Sequence, residues 1–174
     1  EVPDNWAMQQ CYNIPLDEFM SVMENAIMNN YSFAWGADVS EKGFSFRDGL
    51  AIVPADESTI KQRGRDNKHF SDAGAEKIAN CFDEPVEEKV ITQQMRQIGY
   101  DSQTTTDDHG MHITGLVKDQ NGTKYFIVKN SWGADRNECD GYFYASFPYV
   151  KYKTMNIMIH KDAIPKDIKK KLGL

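Results

Sequence analysis

Two short segments hold residues whose types and spacing can do chemistry: Asp-Asp-His-Gly-Met-His-Ile-Thr-Gly at 107–115 and Val-Lys-Asn-Ser-Trp-Gly at 128–133. They flank Asn121-Gly122, a dipeptide that favours a tight hairpin because both residues tolerate positive φ. A hairpin turning there brings His109, at the start of the outgoing strand, near Asn130, at the end of the returning one. An Asn oxygen that accepts an imidazole N–H fixes the ring's tautomer and aims its second nitrogen outward. That nitrogen can take a proton from a thiol, and a thiolate beside an imidazolium is a strong nucleophile at neutral pH. The pair therefore predicts the base and the orienter of a Cys-His-Asn arrangement.

Plainer readings compete at each residue. Taken singly, His109 is a strand-end His satisfied by a carboxylate such as Asp107; Asn130 and Trp132 together tip the balance to a catalytic origin. His112 lies three positions on, so strand alternation turns it to the opposite face, where it reads as a surface or packing residue. For the same reason Asp107, Asp108, His109 and His112 do not converge as a metal site. Ser131 lacks the Gly-x-Ser-x-Gly elbow of a serine hydrolase. His69 and His160 read as surface or strand residues, and Lys169–Lys171 as a solvated helix face.

The elements that must position the pair follow from periodicity. Leu16, Phe19, Met20, Met23, Ala26 and Ile27 recur every three or four residues and predict a helix over 15–28. Pro15 suits its start, Asp17 and Glu18 its positive end, and Asn29-Asn30 its left-handed exit. The aromatic run Tyr31–Val39 predicts a strand bent at Gly36, and Gly49–Val53 a second strand closed by Pro54, with 40–47 turn-like between them. Residues 55–70 are polar and read as a surface loop. Ala73–Phe82 and Glu87–Ile98 read as helices, with Pro85 near the start of the second. Strands follow at Met111–Val117, Tyr125–Val128, Gly141–Phe147 and Met155–Ile159, then a Lys-rich terminal helix at Pro165–Leu172. The expected class is α+β: a helix, then a mostly antiparallel sheet with a helical insertion.

Composition narrows the function. The 174 residues suit one domain with a sizeable core. Twenty Lys and Arg against 26 Asp and Glu give a net charge of −6, which argues against charge-driven nucleic-acid binding. Uninterrupted apolar runs such as Leu50–Val53 are a few residues long, against the roughly 20 a membrane-spanning helix needs. The three cysteines, Cys11, Cys81 and Cys139, form no CxxC and no disulfide framework. The opening Glu-Val-Pro-Asp-Asn-Trp has no initiator Met and no signal-like pattern, so the chain is expected to follow sequence that was removed or that belongs to a longer protein.

At these residues the sequence resembles the papain-like cysteine peptidases: Asp108-His109 with Gly115 six positions on, then Asn130-Ser131-Trp132-Gly133, then Gly141-Tyr142-Phe143. The stretch from Asn13-Ile14-Pro15-Leu16-Asp17 through Ala34-Trp35-Gly36-Ala37-Asp38-Val39 is similar to the bleomycin hydrolase and aminopeptidase C branch. So are the run Thr-Thr-Thr-Asp-Asp-His-Gly-Met at 104–111 and the ending Asp-Ala-Ile-Pro-Lys-Asp-Ile-Lys-Lys-Lys-Leu-Gly at 162–173. The resemblance implies that His109 is the general base and acid, that Asn130 orients it, and that Trp132 covers their hydrogen bond. It implies a papain-like fold of which residues 1–174 are the C-terminal, right-hand, β-rich lobe, with 55–85 as an insertion and the His/Asn hairpin at 109–133.

One departure matters. The family's nucleophile sits in a Gln…Cys-Trp segment at the start of a long helix, more than 100 residues before the His, and neither that segment nor its oxyanion-hole Gln is present. Cys11 lies 98 residues before His109 but lacks flanking glycines, and Pro15 sets the helix four residues later. Cys81 and Cys139 have weaker claims. The chain is therefore expected to supply His and Asn to a cysteine-type aminopeptidase and to be inactive alone. The partners implied are a peptide substrate, an N-terminal Cys-bearing half and further copies in a hexamer, with no metal or organic cofactor. Most members of this type are cytosolic. The competing class is a non-enzymatic binding module that keeps the fold without the nucleophile.

Overall fold

The computed structural model describes residues 11–60 and 80–174. Helix α1 (Leu16–Met28) buries Leu16, Met20, Val22, Met23 and Ala26, while Phe19 and Ile27 pack partly buried against the same core. Pro15 caps the helix without a side-chain bond; instead Gln93 Oε1 accepts the Leu16 N–H at 2.8 Å. Asn30, at φ +64°, takes the left-handed exit.

A seven-stranded sheet forms the body, from β1 (Phe33–Ala37), β2 (Phe44–Ser45), β3 (Leu50–Ala51), β4 (His109–Lys118), β5 (Lys124–Lys129), β6 (Tyr142–Ser146) and β7 (Thr154–Met158). Its order is β2-β3-β6-β5-β4-β1-β7, and every pairing is antiparallel except β3 with β6. The register of β1 on β7 shifts between Gly36 and Ala37, which is the bend expected at Gly36. The core between the sheet and α1 holds Trp35, Phe126, Phe143, Ile113, Val128 and Tyr149. Its polar atoms are satisfied inside: Trp35 Nε1 donates to Thr154 Oγ1 at 2.8 Å, and the Tyr149 hydroxyl to the Asp38 carbonyl at 2.7 Å.

Helix α2 (Gln93–Asp101) corrects the helix expected over Glu87–Ile98. Val90, Ile91 and Thr92 are β-branched and resist the helix, and Glu88 instead pairs with Pro54 as an isolated bridge. Thr92 then caps α2, its Oγ1 accepting the Met95 N–H at 3.2 Å. The helix expected at Ala73–Phe82 lies mostly outside the described residues, and its end, 81–83, is a turn. Phe147 opens helix α3 (Phe147–Lys153) and does not close the preceding strand, because Ser146 caps α3 and Pro148 sits in its first turn. Helix α4 (Lys166–Leu172) ends on Gly173 at φ +71°. Its lysines are tied as well as solvated, Lys169 to Asp162 and Lys171 to Glu18. Among the described residues no helix is long and apolar enough to cross a membrane.

Candidate active site

The β4–β5 hairpin turns at Asp119–Thr123, a longer loop than a two-residue Asn-Gly turn. The Asp119 carboxylate, not Asn121 alone, shapes it: Oδ1 accepts the N–H groups of Asn121 and Thr123, both at 2.8 Å. A register shift between Ile113 and Gly115 then sets His112 against Lys129. Continuing that ladder puts Asn130 beside Met111, so His109 reaches Asn130 along a diagonal, not straight across.

The reach is made. His109 Nε2 lies 2.8 Å from Asn130 Oδ1. The Ser131 backbone N–H also points at Oδ1, at 2.8 Å. An amide N–H can only donate, so the atom it meets is the Asn oxygen, and that oxygen requires a proton on His109 Nε2. The neutral ring therefore holds its lone pair on Nδ1, which faces away from Asn130. Asn130 is 5% exposed, and its Nδ2 has no partner among the described residues.

Trp132 stacks on His109, ring centroids 4.7 Å apart at 28°. Phe44 and Phe46 meet the indole edge-on at 5.9 and 5.2 Å, which holds it over the His–Asn bond although Trp132 itself is 37% exposed. These two phenylalanines belong to a segment that reads as a turn in sequence, and only the sheet brings them here.

Four further residues hold the frame. Asn137 bridges four backbone groups: its Nδ2 donates to the Phe46 and Tyr142 carbonyls at 3.0 and 2.6 Å, and its Oδ1 accepts from the Cys139 and Gly141 N–H groups at 3.2 and 2.9 Å. Gly141, at φ +79°, passes so close that a Cβ would lie 2.7 Å from the Gly133 carbonyl, and its own carbonyl accepts the Asn130 N–H at 3.0 Å. Asp38, 2% exposed, accepts the Thr106 N–H at 3.0 Å and so anchors the approach to His109. Buried Lys153 adds to that anchor, donating to the Thr104 carbonyl at 3.2 Å and to Thr105 Oγ1 at 3.1 Å, and pairing with Glu41.

An open groove lies beside His109, lined by Gly36, Asp107, Asp108, Gly110, Asn156 and Met158 among others. None of the three cysteines lines it. Cys81 sits in a separate apolar cluster with Ile52 and Phe82, and burial raises its thiol's pKa. Cys139 abuts Gly49; burial, then the nearby Glu138 and Asp140 carboxylates, raise its thiol too. Cys11 is exposed ahead of α1. His112 is exposed on the outer face of the sheet. His160 caps the 3-10 turn at Lys161–Ala163, and His69 lies outside the described residues.

Over residues 66–173, well over half of its length, the chain matches the model of the Peptidase C1-like family, and it belongs to that family. The fold is the papain-like one. Among solved structures, PepW from Lactobacillus rhamnosis HN001 superposes with a TM-score of 0.58 at 19% identity, over 92% of this chain and 30% of PepW. The proform of Amb a 11, a ragweed pollen cysteine protease, gives 0.37 at 17% identity, over 91% of this chain and 37% of that one. This chain thus spans less than a third of the length of PepW. No curated protein matches it by sequence.

Proposed function

We propose that this chain is the His- and Asn-bearing half of a cysteine peptidase, an aminopeptidase of the bleomycin hydrolase and aminopeptidase C type. The observation that carries the reading is the 2.8 Å contact of His109 Nε2 with Asn130 Oδ1 under the Trp132 ring, which leaves Nδ1 free to act as a base. A thiol from outside these 174 residues gives its proton to Nδ1 and attacks the scissile carbonyl. The imidazolium then protonates the departing amine, leaving a thioester. Water, deprotonated at Nδ1, releases the acid and restores the thiol. Asn130 keeps the ring aligned through both proton transfers, and Trp132 keeps water from their bond. Removal of N-terminal residues and a hexameric, cytosolic enzyme follow from the family resemblance.

The absence of any cysteine from the groove favours a nucleophile supplied from elsewhere, and it equally suits a binding module that has lost it. The test is a thiol-directed peptidase probe applied to lysate of the source organism, with capture by antibody to this chain. A labelled species well above 19.9 kDa is the expected result. Label at this chain's own mass would put the nucleophile inside it, and an unlabelled species would favour the binding module. The isolated chain is expected to cleave no peptide. Steady turnover by it, abolished by His109→Ala, would overturn the assignment of the thiol to another segment.

A further inference from the structure

Between Asn130 and Gly141 the chain runs as a surface loop with no core of its own: from 131 to 140 only Asn137 and Cys139 are not exposed. Yet it holds Gly133, Asp140 and Gly141 at positive φ, a conformation that polar bonds must maintain where packing does not. The loop starts at Asn130 and carries Trp132, the two residues in contact with the His109 ring. One side chain ties it together. A carboxamide offers two N–H bonds and an oxygen with two lone pairs, and Asn137 uses all four. Its partners are two carbonyls and two N–H groups, so its orientation is fixed.

The two ends of that carboxamide lead to different sides of His109. Oδ1 brackets Asp140, accepting the N–H groups of Cys139 and Gly141 at 3.2 and 2.9 Å. That sets Gly141, whose carbonyl accepts the Asn130 N–H at 3.0 Å and so seats the Asn130 oxygen against the imidazole. Nδ2 donates to the Phe46 carbonyl at 3.0 Å, 91 positions away. Phe46 meets Trp132 edge-on at 5.2 Å, and Trp132 stacks on the imidazole. Nδ2 also donates to the Tyr142 carbonyl at 2.6 Å, which anchors both branches to β6.

We infer that Asn137 is a positioning residue: through Gly141 it sets Asn130 against His109, and through Phe46 it sets Trp132 over the same ring. The inference rests on the peptidase reading only for the use to which that geometry is put.

NMR of the labelled chain reads the two branches separately. Unsubstituted, neutral His109 should show the Nε2–H tautomer in its ring nitrogen shifts, and NOEs should join its ring to that of Trp132. Asn137→Ala should turn the tautomer into a mixture and lose the NOEs. Asn137→Asp keeps the acceptor and has no amide donor, so it should keep the tautomer and lose the NOEs. Ser146→Ala removes a cap at the opposite end of β6 from Tyr142 and should leave both signals unchanged, which separates positioning from loss of stability. If Asn137→Ala does not fold, the split in Asn137→Asp decides. Either signal surviving in folded Asn137→Ala, any departure from the split in Asn137→Asp, either signal moving in Ser146→Ala, or loss of the folded spectrum in both Asn137 variants would overturn the assignment. These spectra need no thiol, so their failure leaves the thiol-labelling result standing, and the reverse also holds.

Discussion

Ser131 contributes to the site through its backbone and not its hydroxyl. Its N–H identifies the Asn130 oxygen, and so decides which His109 nitrogen is protonated. Nitrogen-detected NMR of neutral His109 should show the Nε2–H tautomer, and Asn130→Ala should give a mixture. In the peptidase proposed above, that substitution is expected to cost roughly 10–100-fold in activity, the usual penalty for losing an orienting partner. A second residue-scale expectation concerns Glu88. Burial raises its carboxyl's pKa above the ordinary value, outweighing the bonds from Ser146 and the Val53 N–H. The folded state then holds the proton more tightly than the unfolded one. That group's contribution to stability therefore falls as pH rises from about 4.5 through the raised value. Glu88→Gln keeps an acceptor and sheds the buried charge, so denaturant titrations should show a gain that is larger at pH 8 than at pH 5. Glu88→Ala strands both donors and should lose about 1–3 kcal/mol. His109, Asn130 and Trp132 were legible because they stand in two contiguous motifs. Phe44, Phe46, Asn137 and Asp38 were not, because each acts across the fold on backbone or ring surfaces that no local pattern records.

Among the elements, α1 was readable because its apolar stripe and its ends agree with its packing. The segment 87–101 was not, because Pro85 suggested a helix start while the β-branched run ahead of Thr92 favours extended backbone. Helix α3 was missed although its Ser-Phe-Pro start carries both a cap and an early proline; the aromatic run before it reads as continuous strand. That cap is doubly engaged, Ser146 Oγ accepting the Tyr149 N–H at 3.1 Å and donating to Glu88 at 2.6 Å. Ser146→Ala should therefore lower stability by about 1–2 kcal/mol in chemical denaturation. Gly141→Ala tests the loop that returns from Trp132. Positive φ and the Gly133 carbonyl both oppose a side chain there, so about 1–3 kcal/mol should be lost, with the His109 tautomer signal broadened.

Across the whole molecule, the sheet order sets the β4–β5 hairpin that carries His109 between β6 and β1, away from both edges. Strands β4 and β5 bury Ile113, Phe126 and Val128 completely, whereas β2 is a two-residue edge strand of half-buried residues. Hydrogen exchange should be slowest at the amides of Ile113, Phe126 and Val128 and fastest at β2. Fast exchange across β4 and β5 would mean that the hairpin does not carry the molecule's stability. The α+β class and the mostly antiparallel sheet were readable from strand patterning and the hairpin signal. The parallel β3–β6 pair was not, since it joins residues 94 positions apart, Leu50 with Tyr144 and Ala51 with Ala145, with no local mark in either segment.

The seat of Asn130 bears on how the protein ages. Asparagines followed by small residues are prone to lose ammonia when the next backbone nitrogen closes on the side chain, and heat hastens it. Asn121-Gly122 stands at an exposed loop tip, whereas Asn130-Ser131 has its asparagine buried, with its oxygen held between an imidazole and a backbone N–H. In stored protein the acidic charge variants should arise first at Asn121, leaving the amide beneath His109 intact.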